Sequence, residues 1–181
     1  MMKEKFLMLF SACAMLFSSC ANLIPYSEAL KNQYHLTDAD IPKIQFYNSA
    51  EIVLYKEVTN GGIPTVQGGK IKIIDGRQVE EITIKGITKG IALKNPLMGN
   101  NMGVSFEIND SYFLTFGENP KFNNKYCLLA SNWKNDMGEV TYNGEKYRTP
   151  SASGKVCLLV NVKKLQKMDT KTRVASGRKV K

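Results

Sequence analysis

Val140-Thr141-Tyr142-Asn143-Gly144-Glu145-Lys146-Tyr147-Arg148 is the stretch from which the fold is read. Two runs rich in β-branched and aromatic residues flank an Asn-Gly pair. Asn and Gly tolerate the positive φ angles that a two-residue hairpin turn demands, so this pattern is a strong short-range hairpin signal. Working outward, the same grammar recurs. Lys70 to Ile74 alternates, Asp75-Gly76 turns and Val79 to Ile84 returns, with Glu80-Glu81 interrupting the period as a bulge would. Ile52 to Tyr55 is a continuous apolar run, as in a strand covered on both faces.

Val104, Phe106 and Ile108 alternate with Ser105, Glu107 and Asn109, and Asn109-Asp110 turns into Tyr112 to Phe116. Tyr126 to Ala130 and Val156 to Val162 are further apolar runs. Asn60 to Pro64, Asn95 to Gly103, Gly117 to Asn124 and Pro150 to Gly154 read as loops. Eight to ten short strands with little helix after residue 50 predict a mostly β fold. The expected architecture is an antiparallel β-sandwich or partly closed barrel with a short N-terminal helical segment. That segment is placed from Tyr26 to Tyr34. A second short piece follows, with Thr37 as its cap and Asp38 and Asp40 in its first turn.

The N-terminus obeys different rules. Lys3 and Lys5 precede an apolar run from Phe6 to Phe17, broken only by Ser11, and small residues follow. A positive start, a short apolar core and small exit residues describe a secretory signal. A membrane-spanning helix needs ~20 apolar residues. Phe17-Ser18-Ser19-Cys20 resembles the bacterial lipobox. The resemblance implies cleavage before Cys20, acylation of that cysteine and anchorage to a membrane. Two or more acyl chains anchor stably where one is marginal, each buried CH₂ contributing ~0.8 kcal/mol. Ala21 to Tyr26 lacks both an inner-membrane retention aspartate and an acidic surface-export cluster. By the same resemblance, the expected location is the outer membrane, facing the periplasm.

Removing residues 1–19 leaves 162 residues, enough for one domain without a metal or disulfide framework. The expected division is a signal peptide (1–19), a tether (20–35), a β-rich domain (36–165) and a basic disordered tail (166–181). The formal charge of +9 sits mostly at the ends. Lys163 to Lys181 holds eight basic residues against Asp169 alone, and the signal adds one net positive charge. Residues 20–162 therefore carry only about +1. A neutral, exported body predicts no nucleic-acid partner, while the basic tail suits contact with anionic lipid.

Cys127 and Cys157 remain in the body after Cys13 is removed and Cys20 acylated. An exported chain with one leftover pair suggests a disulfide. Their apolar contexts, YCLLA and VCLLV, equally suit two free core cysteines. No metal site is expected, because His35 is the single histidine and no Cys-x-x-Cys is present. No catalytic residue and no cofactor are assigned, since the chain lacks HExxH, nucleophile-elbow, SxxK and P-loop motifs. Glu80-Glu81 fails as an acid/base pair because neighbours on a strand point to opposite faces. Trp133, in SNWKND after a core strand, either plugs the body or anchors a ligand or partner, plugging being the commoner case.

The segments LTDADIPKIQFYNSAEIVLYKE, YFLTFG and YCLLASNW resemble a group of uncharacterised lipoproteins from Bacteroidetes. The resemblance implies the anchor and a β-rich domain, and supplies no activity. The expected function is a membrane-anchored, non-catalytic envelope module that is structural or binds an envelope protein partner. The alternatives are a carrier of a small apolar ligand and a cell-wall hydrolase.

Overall fold

The computed structural model describes residues 22–58, 70–74, 77–93 and 101–169. Cys20 and the signal segment, the Asn60 to Pro64 loop, the Asp75-Gly76 turn, residues 95–100 of the expected Asn95 to Gly103 loop and the tail from residue 170 lie outside the described residues.

The chain forms two antiparallel sheets in a sandwich-like arrangement. The first contains β1 (Leu23–Pro25), β2 (Gln45–Asn48), β6 (Lys89–Ala92), β7 (Met102–Ser105), β8 (Phe113–Asn119), β9 (Lys125–Leu128) and β13 (Leu158–Asn161), in the order β1-β13-β2-β6-β7-β8-β9. The second contains β3 (Ile52–Glu57), β4 (Lys70–Ile74), β5 (Arg77–Ile84), β10 (Ser131–Lys134), β11 (Met137–Tyr142) and β12 (Glu145–Pro150), in the order β10-β11-β12-β3-β5-β4. Helix α1 (Glu28–Gln33) follows β1, and helix α2 (Val162–Asp169) follows β13.

The hairpins form as their sequences require. Tyr142 pairs with Glu145, and Asn143 and Gly144 both have positive φ, 51° and 75°. Ile74 pairs with Arg77. The β3–β5 ladder runs without a break from Glu57↔Val79 through Tyr55↔Glu81, so the bulge expected at Glu80-Glu81 is not there. Instead both carboxylates keep the strand's alternation. Glu80 is fully buried, and Glu81 faces outward to Lys72 at 2.6 Å.

Residues from both sheets fill the core. Phe46, Val104, Leu114, Phe116, Leu158 and Val160 come from the first sheet, Ile52, Leu54, Ile82, Ile84, Tyr142 and Tyr147 from the second. All are buried, most of them on the inward half of a period-two pattern, while every residue of β7 is buried.

Four expectations are corrected. The tether assigned to residues 20–35 belongs to the body from Leu23 onward. There β1 pairs with β13, and Tyr26 packs edge-on against Phe46 and Tyr126. The hydroxyl of Ser27 caps α1 by accepting from the amide of Leu30 at 3.2 Å. Thr37 caps no helix. Asp40 reaches back to it, accepting from the Thr37 hydroxyl at 2.6 Å and its amide at 3.1 Å. Those bonds and Lys43 hold the Asp40 carboxyl down at about 2.

The strand expected to alternate through Ile108 stops at Ser105. The buried Ser105 hydroxyl lies within hydrogen-bonding reach of the carbonyls of Glu107 and Tyr112, 3.1 and 2.9 Å away, and so rolls the chain into a turn. Ile108 is left fully exposed. Finally, order continues past the boundary set at Leu165. Leu165 and Met168, three residues apart, pack inward on one face of α2.

Candidate partner-binding surface

The two sheets treat their edges differently. At the end of the first sheet, β9 turns its outer edge back on the opposite end of the same sheet. Ser27 bridges Lys125, and Cys127 bridges Cys157. The amide of Tyr126 donates to Tyr26 at 3.1 Å, and that of Leu128 donates to Val156 at 2.9 Å. Cys127 and Cys157, joined by a disulfide across 30 residues, sit within this seam. Its backbone groups are thereby satisfied internally.

β10 is different. It ends the second sheet, pairs only with β11, and all four of its residues are exposed. Among the described residues no strand lies on its outer edge. An open edge presents unpaired N–H and C=O groups to another chain. Sequence reasoning did not anticipate β10, because a strand exposed on both faces has no hydrophobic period. The signal that was available is Asn135-Asp136, whose positive φ values, 51° and 59°, turn β10 into β11.

Trp133 lies on this edge strand, outside the body and 48% exposed, so it does not plug the core. Asn132 has φ 49° and the register shifts between Ser131 and Lys134, which re-aims the side chain. The indole N–H donates to the carbonyl of Ala130 at 3.1 Å. The ring lies against Gly138 and Gly154. A Cβ added at Gly138 would meet ring atoms at 2.9 Å, and one at Gly154 would meet them at 2.9 and 3.0 Å. Two glycines thus form a seat for one side of the indole while the other faces solvent. The seat is braced from beneath: Arg148 donates to the carbonyl of Lys134 at 3.1 Å, and the amide of Ser151 donates to Asp136 at 2.8 Å. A large aromatic held rigid before binding loses little entropy on contact, which suits an interface anchor.

This seat is open to a direct test, because Trp133 is the single tryptophan and its emission reports on the site alone. Gly154→Val is expected to lift the indole into water. Emission should shift to the red and acrylamide quenching should rise, with the unfolding midpoint changed by less than about 1 kcal/mol, as for surface substitutions. An unchanged spectrum would show that the indole does not rest there.

A second cluster lies between the sheets. Tyr142 donates its hydroxyl to Glu107, Tyr112 and Tyr147 pack edge-on against the Tyr142 ring, and the Lys56 ammonium stands 5.8 Å from the Tyr147 ring centre. Burial, followed by the hydrogen bond to Glu107, pushes the Tyr142 phenol far above the ordinary tyrosine range. Burial and the nearby Glu80 do the same to Tyr147, whose buried hydroxyl has no hydrogen-bond partner among the described residues. Tyr126 is raised likewise by burial and by donating to Glu28 at 2.5 Å. Tyr126 and Tyr142 therefore stay protonated at neutral pH and serve as fixed donors to their carboxylates rather than as bases.

The other residues singled out in the sequence fall apart in space or lie elsewhere. His35 sits after α1 with φ 47°, in a turn. Glu80 faces the interior and Glu81 the exterior. Among the described residues, no three His, Cys, Asp or Glu side chains gather as a metal site, and no helix is long and apolar enough to cross a membrane. Set against known proteins, the chain matches no family model, no curated protein and no solved structure.

Proposed function

We propose that this chain is a lipid-anchored, non-catalytic envelope lipoprotein, held at the outer membrane through acylated Cys20, whose β-body binds a protein partner. The observation that carries the binding role is the open edge β10 with Trp133 braced on its glycine seat. The occupant that fits is an extended segment of another envelope protein. It would add as a strand to β10 by main-chain hydrogen bonds and cover the indole with an apolar side chain. The interior favours this over a carrier of apolar ligands, because Tyr26, Phe46, Phe116, Tyr142 and Tyr147 occupy the space between the sheets. The tyrosine–carboxylate pairs favour it over a hydrolase, since their protons are locked in internal hydrogen bonds.

A photo-crosslinking residue at Lys134, on β10, should trap a second envelope protein in intact cells through an extended peptide. The same residue at Ile91, exposed on the other sheet, should not. Trp133→Ala should weaken the trapped complex about 30-fold, the effect of losing an interface anchor of roughly 2 kcal/mol. Recovery of the uncrosslinked monomer alone would end this reading.

A further inference from the structure

The fold brings Asn22, two residues after Cys20 in sequence, beside a cluster of lysines. The amide of Val162, the first residue of α2, donates to the carbonyl of Asn22 at 3.2 Å, and Leu23 pairs with Asn161. Cys20 is two residues before Asn22, and an extended chain advances roughly 3.3–3.6 Å per residue. The Cα of Cys20 can therefore lie no farther than about 7 Å from that of Asn22, which is hydrogen-bonded to the start of α2. The membrane surface must pass close to that helix.

The helix is built for such a position. Leu165 and Met168 face the core. Lys163, Lys164 and Lys167 are exposed. At about 100° per residue their side chains fall within a single arc of roughly 100°. No carboxylate of the described residues pairs with any of the three. Elsewhere the exposed lysines of the fold are often answered: Lys43 by Asp40 at 3.0 Å, Lys72 by Glu81 at 2.6 Å, and Lys146 by Glu139 at 2.8 Å. The α2 lysines are left for a partner outside the chain, and the surface nearest to them is the one that holds the anchor.

We propose that Lys163, Lys164 and Lys167 form a docking face for anionic lipid headgroups, seating the body on the bilayer in one orientation where Cys20 enters it. The proposal rests on the lipoprotein reading for its geometry. It differs from tail binding, because three lysines on a folded helix fix which side of the body faces the membrane.

The test uses the mature-length chain with Cys20→Ser, which removes the acyl group and leaves any surface affinity to be measured. Sedimentation with phosphatidylethanolamine vesicles containing about a third phosphatidylglycerol is expected to show binding that weakens with salt. Lys163→Gln, Lys164→Gln and Lys167→Gln together, with every tail lysine kept, should reduce partitioning about 100-fold, roughly fivefold per lysine. Circular dichroism should show the triple variant folded, since Leu165 and Met168 are untouched.

Partitioning equal to the parent's would overturn the proposal and assign binding to the tail. Equal binding to neutral phosphatidylcholine vesicles, or no binding at all, would overturn it too. Acylation is read separately, by metabolic labelling of Cys20 with a fatty-acid analogue in cells. A Cys20 that takes no label would remove the lipoprotein reading while leaving the vesicle result to stand or fall alone.

Discussion

Asn48→Ala is expected to lower the unfolding free energy by about 3 kcal/mol, a large share of the roughly 5–15 kcal/mol typical of a domain. Asn48 ends β2 and is fully buried. Its amide nitrogen donates to the carbonyls of Ala50 at 2.7 Å and Lys85 at 2.8 Å, and its side-chain oxygen accepts from the amide of Thr88 at 2.7 Å. Its backbone carbonyl accepts from the amide of Ile87 at 2.9 Å.

These are two of the corners where the chain changes sheet, from β2 to β3 and from β5 to β6. One side chain clasps both. With the Asn48 backbone carbonyl on Ile87 and the side chain on Thr88, the residue also fixes Ile87 at φ 60°, a left-handed conformation that a β-branched residue enters only under constraint. Alanine would leave one donor and two acceptors without their partner, each costing about 1–3 kcal/mol where water cannot replace it. Asn48→Asp sharpens the test. It keeps an acceptor for Thr88 but sets a buried carboxylate against two carbonyls, so it should destabilise at least as much as alanine. Urea unfolding followed by Trp133 emission measures both variants. A loss below about 1 kcal/mol would mean that the corners hold without the clasp.

Asn48 also marks where reading the sequence stops. The hairpin at Asn143-Gly144 was legible because the information is local: two residues that tolerate positive φ, between runs that want to be strands. The burial of Leu114, Phe116, Leu158 and Val160 was legible because apolar runs declare it. Asn48 looks like any polar residue before Ser49 and Ala50, since its bonds reach residues about 40 positions away. Which strands share a sheet is likewise set by such distant contacts.

At the candidate surface, Trp133 was visible as a residue of interest, but its direction was not. That depends on Gly138 and Gly154 being small, and on a bulge whose signal is spread over Asn132 and Asn135-Asp136. Helix α2 was hidden by its lysines, which lower its hydrophobicity without removing the spacing of Leu165 and Met168. The acylation expected at Cys20 concerns a residue outside those described.

Replacing Cys127 and Cys157 together by alanine is expected to cost about 3–4 kcal/mol, the chain entropy regained by opening a loop of this length. For a chain of this size that corresponds to a fall in Tm of about 10 °C. The double variant should still fold, because the bonds from Tyr126 to Tyr26 and from Leu128 to Val156 remain across the seam. Intact protein should resist reductant, since Cys127 and Cys157 are 0% and 6% exposed and thiol exchange requires access. Thermal scans of the parent with and without reductant under unfolding conditions, and of the double variant, measure the contribution. Equal Tm values for all three would show that the bridge adds nothing.

The consequence extends beyond stability. The bridge fastens β9 against the start of β13 and closes the edge of the first sheet, while β10 remains an edge that another chain can reach. Loosening the seam should therefore expose a further pairing edge on β9. The double variant is expected to aggregate on warming at temperatures where the parent does not, a difference that light scattering would detect.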